Sequence, residues 1–238
     1  MHRSLLSVVF LCAATTVFAG PAEPLLDETF SAPTLPAKWQ PGGRPNCFSI
    51  VDGALRGVAQ PDDAHGPAIS VPIEGHNLTV QFRVKFAQPG YFLFLIDGDS
   101  QFGGQAHLLR FALSTGTMQL AQDRGSLASK QEQATAREAA QKAGTKIPPP
   151  TAEQLADPKF YRTESLARQP AKPTDGEWHK VRIELRGNET TAQVDDLAAL
   201  HGTGTVLDVK KSRLVFLVAQ SSDVRIDDVR AWEGEPKP

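Results

Sequence analysis

Cysteine is nearly missing from this 238-residue chain, which holds only two, Cys12 and Cys47. Cys12 sits in an N-terminal apolar run, so a chain trimmed of that run keeps one thiol and can form no internal disulfide. A disulfide-stapled fold is excluded, and stability must come from a packed core. Excess charge of one sign is lacking too, with 25 Lys and Arg against 27 Asp and Glu. That balance supplies no basic field for nucleic acid or an anionic membrane. Past the N-terminal run, no apolar stretch approaches the roughly 20 residues a membrane-spanning helix needs. Neither His65 nor His179 has Cys or His at zinc-ligand spacing. Ser49 and Ser70 lack the flanking glycines of a nucleophile elbow, which argues against a serine hydrolase. Turn residues, by contrast, are plentiful: 19 Gly and 18 Pro, without collagen-like period.

The N-terminal run has an address of its own. His2 and Arg3 precede the apolar stretch Leu5 to Val17, and Val17-Phe-Ala19 puts small residues at −3 and −1 before Gly20. This is the pattern of a secretory signal peptide over residues 1–19, and the run is too short to span a membrane. Phe10-Leu11 before Cys12 does not fit a lipidation signal. The expected destination is the periplasm or the extracellular space.

Alternation of apolar and polar residues organises the rest. Leu78, Val80, Phe82, Val84 and Phe86 alternate with Thr79, Gln81, Arg83 and Lys85, which places one strand face in a core and the other in solvent. His179 to Arg186 repeats the device, and Arg213 to Ala219 is apolar on both faces, as a central strand is. Asp52-Gly53 between Phe48–Val51 and Ala54–Val58 predicts a tight hairpin. Further strands are expected near Leu26–Phe30, Ala68–Val71, Tyr91–Asp97, His107–Leu113, Met118–Gln122, Thr190–Val194 and Val224–Glu233. Short strands separated by turns predict an all-β, two-sheet antiparallel sandwich of jelly-roll type over residues 20–238. One stretch departs from it. Ser126 to Gly144 is rich in Ala, Gln, Glu, Lys and Arg, so it favours helix with Gly144 as a C-terminal stop. Pro148-Pro-Pro150 breaks that helix, and Thr151 caps a second one that ends at Asp157-Pro158. The expectation is a peripheral helical insertion from about residue 125 to residue 175.

The order of these signals carries a resemblance. Phe30 and Trp39 come first, then Phe48-Ser-Ile-Val-Asp-Gly-Ala-Leu-Arg-Gly57, Val80-Gln-Phe-Arg-Val-Lys-Phe86, Gly176-Glu-Trp-His-Lys-Val-Arg-Ile-Glu-Leu185 and Ile226-Asp-Asp-Val-Arg-Ala-Trp-Glu233. The chain resembles the concanavalin-A-like, laminin-G-like jelly-roll domains of exported bacterial proteins, and is similar in particular to the 3-keto-disaccharide hydrolase family. The resemblance implies that the first strand pairs with the last, near Val229-Arg-Ala231. It also implies a concave sheet suited to extended sugars. The two glutamates that flank an aspartate on one strand of family 16 glycoside hydrolases have no counterpart; the nearest segment is Leu95-Ile-Asp-Gly-Asp99.

Candidate sites follow. Asp97 and Asp99 beside Gly98, Gly103 and Gly104 could ligate calcium, an ion that laminin-G-like domains often hold at a rim; the same residues are ordinary for a hairpin tip. Strict alternation places Arg110 with Leu108 and Ala112, and His107 with Leu109 and Phe111. A charge in an apolar strand needs a partner or solvent, and Arg110 could hold sugar hydroxyls or a glycan carboxylate. His107, Arg83 and Trp178 complete the candidate ligand-binding set, with Trp39 and Trp178 able either to stack on sugar rings or to pack in the core. The expected function is a secreted glycan-binding or glycan-processing accessory domain whose partner is a polysaccharide or oligosaccharide. The alternatives are a hydrolase or lyase on 3-keto-glycosides, using Asp97 or Asp99, and a structural cell-envelope domain that meets a protein through the helical insertion. N-terminal sequencing of the exported protein is expected to begin at Gly20; an intact Met1 in that pool overturns the leader.

Overall fold

A computed structural model describes residues 23–43, 45–60, 65–173, 175–219 and 222–234. The expected leader, residues 1–19, lies outside the described residues. The order begins with β1 (Leu26–Glu28), β2 (Gln40–Gly42), β3 (Phe48–Val51), β4 (Ala54–Val58) and β5 (Ala68–Gly75). It continues with β6 (Leu78–Gln88), β7 (Tyr91–Asp99), β8 (Gln105–Ser114) and β9 (Thr117–Arg124), followed by helices α1 (Leu127–Lys142) and α2 (Ala152–Ala156). The chain closes with β10 (Arg162–Pro170), β11 (His179–Arg186), β12 (Glu189–Val194), β13 (Leu200–Thr203), β14 (Lys211–Ala219) and β15 (Asp223–Glu233).

These strands form two antiparallel sheets. The eight-stranded one runs β13-β12-β11-β6-β15-β4-β3 with β1 added on β15, and the seven-stranded one runs β10-β9-β8-β7-β14-β5-β2. The Asp52-Gly53 hairpin forms as its residues require: φ is 52° at Asp52 and 71° at Gly53, and Val51 pairs Ala54. The first strand meets the last, Leu26 opposite Ala231 and Glu28 opposite Val229.

Alternation decides which side chains meet between the sheets. Phe82, Val84 and Phe86 of β6 face Phe92, Phe94 and Ile96 of β7 and Leu214, Phe216 and Val218 of β14 in one core cluster. Phe216 is its hub, with ring centroids 5.0 Å from Phe94, 5.5 Å from Phe82 and 5.5 Å from Trp39. Trp39 is therefore a core residue, 2% exposed, and not a sugar platform. Cys47 is buried at 3%, as a small core residue beside Phe48 should be.

The insertion forms helices where expected, capped by Ser126, by Gly144 at φ 66°, and by the Thr151–Gln154 capping box. No residue of either helix is buried. It is shorter than expected, because the chain rejoins the sheet at Arg162 instead of past Asp175. β10 pairs β9 along its length, yet its sequence, Arg-Thr-Glu-Ser-Leu-Ala-Arg-Gln-Pro, has almost no apolar alternation. An edge strand with both faces partly wet needs none, and it hides from any reading based on period. For the core, Phe216→Ala is expected to cost about 4 kcal/mol, measured by denaturant unfolding. A loss below about 1 kcal/mol would show that Phe216 is not the hub.

Candidate functional site

The outer face of the seven-stranded sheet carries the alternate side chains of the same strands. On β7 these are Tyr91, Leu93, Leu95 and Asp97, and on β14 Arg213, Val215, Leu217 and Ala219, paired in register. Leu93, Leu95, Val215, Leu217 and Ala219 form an aliphatic cluster of their own. At one end of it the face turns polar. Asp97 and Arg213 lie opposite each other, and Arg110 of β8 faces Leu95.

A bulge brings His107 to this face. Ile96 pairs Leu109 while the next residue, Asp97, pairs His107, so Leu108 is the extra residue. Strict alternation puts His107 on the core side with Leu109; the bulge reverses that and sets it beside Asp97. Its Nδ1 lies 2.6 Å from Asp97 Oδ1, while Arg213 Nε donates to Asp97 Oδ2 at 2.9 Å. Asp97 is 1% exposed, so a carboxylate that would be costly alone is held between two cationic or hydrogen-bonding partners.

A second buried carboxylate, Asp123 at the end of β9, gathers the remaining polar groups. Arg110 Nε donates to its Oδ1 at 2.7 Å, Thr163 Oγ1 donates to the same oxygen at 2.6 Å, and the Tyr161 hydroxyl donates to Oδ2 at 2.6 Å. The insertion delivers Tyr161. Its backbone N–H donates to Ser129 Oγ at 3.0 Å, its carbonyl accepts from Gln133 Nε2 at 2.8 Å, and Lys130 Nζ stands 5.0 Å from its ring centroid. One side of α1 thus overhangs the polar end of the sheet. Between α1, Pro148–Pro150 and the start of β10 lies a cavity of about 800 Å³, walled by Phe160, Tyr161 and Ile147.

The charges shift accordingly. Burial would raise the Asp123 carboxyl, but the hydrogen bond and charge of Arg110 outweigh it and hold it below its ordinary value. Burial, reinforced by Asp123, pushes the Tyr161 phenol up to about 12. Burial lowers Lys130, with Asp123 and Asp97 acting against it.

Of the expected ligand-binding residues, Arg110 and His107 come together. Arg83 and Trp178 do not join them. Both lie on the outer face of the eight-stranded sheet, where Arg83 pairs Asp227 and Asp228 and stands 5.0 Å from the Trp178 ring. The calcium assignment to Asp97 and Asp99 does not fit either. Both Asp97 oxygens are taken by His107 and Arg213, Asp99 points to solvent from the strand end, and no cluster of three acidic, His or Cys ligands occurs among the described residues. His179, set aside as a metal ligand, sits between Asp195 at 2.6 Å and Asp175 at 2.9 Å. Asp123, Tyr161, Thr163, Lys130 and Arg213 were not singled out from sequence. Alternation counted back from Asp123 through Ala121 and Gln119 marks Asp123 as outward, but nothing local marks Tyr161.

The linkage signs are opposite for the two partners. Asp123, with a depressed value, contributes stability present above its ordinary 3.8 and lost as pH falls through the folded value. Tyr161, with a raised one, contributes stability present below 10.0 and lost as pH rises through about 12. Ultraviolet titration is expected to show Tyr161 ionising near 12 in the native protein, and earlier in Asp123→Asn. That variant is also expected to lose about 3 kcal/mol of stability. An unchanged phenol titration would break the assignment of Asp123 as the organising group.

No family model matches the chain, and no curated protein matches it in sequence. Its shape does have relatives among solved structures. A sialidase matches with TM-score 0.56 and 13% identity over 90% of this chain, which spans only 19% of that one. LamAcat from Zobellia galactanivorans matches with TM-score 0.58 and 11% identity, covering 88% of this chain and 97% of that. The exoplasmic domain of VIP36 matches with TM-score 0.54 and 12% identity, covering 84% and 86%. At such identities the likeness is one of fold, and the fold is the concanavalin-A-like jelly roll that the resemblance implies.

Proposed function

We propose that the protein is an exported saccharide-binding domain whose ligand lies on the outer face of the seven-stranded sheet, over Arg110 and His107 and under the overhang of α1. The observation that carries the reading is convergence. Buried carboxylates orient Arg110, Arg213, His107 and Tyr161 on one face, and the insertion adds Lys130 and a cavity beside them. Fixed planar donors and a hydroxyl, held in rigid geometry beside an apolar floor, suit a ligand that offers many hydroxyls and, for Arg110, a carboxylate. Fold-sharing structures support the reading: LamA_E269S is described in complex with laminaritriose and laminaritetraose, and VIP36 in a Ca²⁺/Man3GlcNAc-bound form.

The insertion belongs to this site in the same reading. Its contacts run through Ser129, Lys130 and Gln133 to Tyr161, so it serves as a wall for the ligand and not as a dock for a protein partner. Glycan-array screening followed by calorimetry tests this. Arg110→Lys, which keeps charge but loses the planar fork, is expected to weaken binding at least about tenfold. Trp178→Ala on the opposite sheet is expected to leave it unchanged. The reverse pattern would move the site to the eight-stranded sheet. Each titration is run with and without added calcium, and an affinity that rises with calcium only while Asp99 is present would restore Asp99 as a ligand.

A further inference from the structure

We propose that His107 is a general base acting on a 4-linked uronic acid, and that the site cleaves such saccharides by β-elimination. The inference deepens the saccharide-binding reading and rests on it. Its ground is the difference between the two carboxylate clusters. Asp123 is surrounded by three donors and has nothing left to give. Asp97, buried and fixed on its other oxygen by Arg213, holds Nδ1 of a half-exposed imidazole at 2.6 Å. No partner holds the other ring nitrogen, Nε2, among the described residues. A buried carboxylate on Nδ1 sets the tautomer and supports the imidazolium that forms when Nε2 takes a proton.

The substrate class follows from the surrounding charge. Proton abstraction from carbon needs an adjacent group that can accept the electron pair, and a neutralised carboxylate does so. Asp123 takes only Nε of Arg110, which shares β8 and its outer face with His107, and Lys130 stands over the ring of Tyr161, the phenol that Asp123 holds. Two cations therefore border the site with capacity for one more anion. In the step, Nε2 of His107 removes the C5 proton of the uronate. The C5–H electron pair becomes the C4=C5 double bond, and the C4–O bond breaks with its pair on oxygen. The imidazolium then returns the proton to the departing oxygen, which leaves as a hydroxyl, so no further reactant is consumed. The products are an unsaturated uronate and a shortened chain.

The test is ultraviolet absorbance of the new conjugated double bond, recorded with the exported protein on 4-linked polygalacturonate, polymannuronate, polyguluronate and polyglucuronate, beside calorimetric binding of the same polymers. One polymer is expected to give turnover. His107→Gln should lower its rate at least about 100-fold with binding kept within a few-fold. Asp97→Asn should shift the pH–rate profile, which a purely structural role would not do, and Lys130→Met, which keeps the length and apolar stem of the side chain, should raise KM. Binding without absorbance on every polymer overturns the elimination and leaves saccharide binding standing. Neither binding nor turnover on any of the four overturns the elimination and the uronate, and the glycan array then decides the saccharide-binding reading separately. Turnover that survives His107→Gln in a folded variant overturns the base assignment.

Discussion

Two carboxylates buried on an outer sheet face, Asp97 at 1% exposure and Asp123 at 4%, are the constraint from which the site follows. An isolated carboxylate at such burial would cost several kcal/mol, so each must recruit donors from whichever strands adjoin it. Asp97 draws Arg213 from β14 and His107 from β8, and Asp123 draws Arg110 from β8, Thr163 from β10 and Tyr161 from the end of the insertion. Five sheet strands and one helical excursion are thereby fixed against one another at a single place. The same bonds that make the burial tolerable leave each side chain one orientation, as a preorganised binding surface requires.

Most of the fold was legible because it rests on period two. Phe48–Val51, Ala54–Val58 and His179–Arg186 form at the expected bounds, since each carries its own alternation or turn signal. Gln40–Gly42, Leu200–Thr203 and Arg162–Pro170 were not legible. They are short or polar and become strands by pairing with a neighbour already in place. For such strands tertiary context, not local preference, decides the structure.

The site was half legible for the same physical reason. Arg110 stood out as a charge in an apolar strand, and Asp97 as an acid at a strand end. His107 was placed on the wrong face because one extra residue, Leu108, resets alternation, and no sequence feature announces a bulge between Ile96 and Asp97. Tyr161 was out of reach altogether, because its hydroxyl meets Asp123 only after the chain has left the sheet at Arg124 and returned at Arg162. Long-range closure of that kind leaves no period to read.

The two outer faces of the sandwich show why polarity alone does not make a site. On the eight-stranded sheet, Arg83, Arg182, Arg186, Arg225 and Arg230 are numerous, yet each meets a neighbouring acid or a strand-edge oxygen: Asp227, Glu184, Thr79, Asp52 and Asp27. Asp52 and Asp27 are surface groups, so their pairs contribute little energy and little fixed geometry, and the buried Asp227 is spent, with Asp228, on the single cation Arg83. On the seven-stranded sheet the acids are the buried members and the cations the accessible ones, with Asp97 and Asp123 nearly sealed beneath Arg213, His107 and Arg110. Burying the anion and exposing its donors aims positive charge and N–H groups outward at low conformational freedom. That inversion, set beside the aliphatic floor of Leu93, Leu95, Val215 and Leu217, distinguishes a recognition surface from a solvated one.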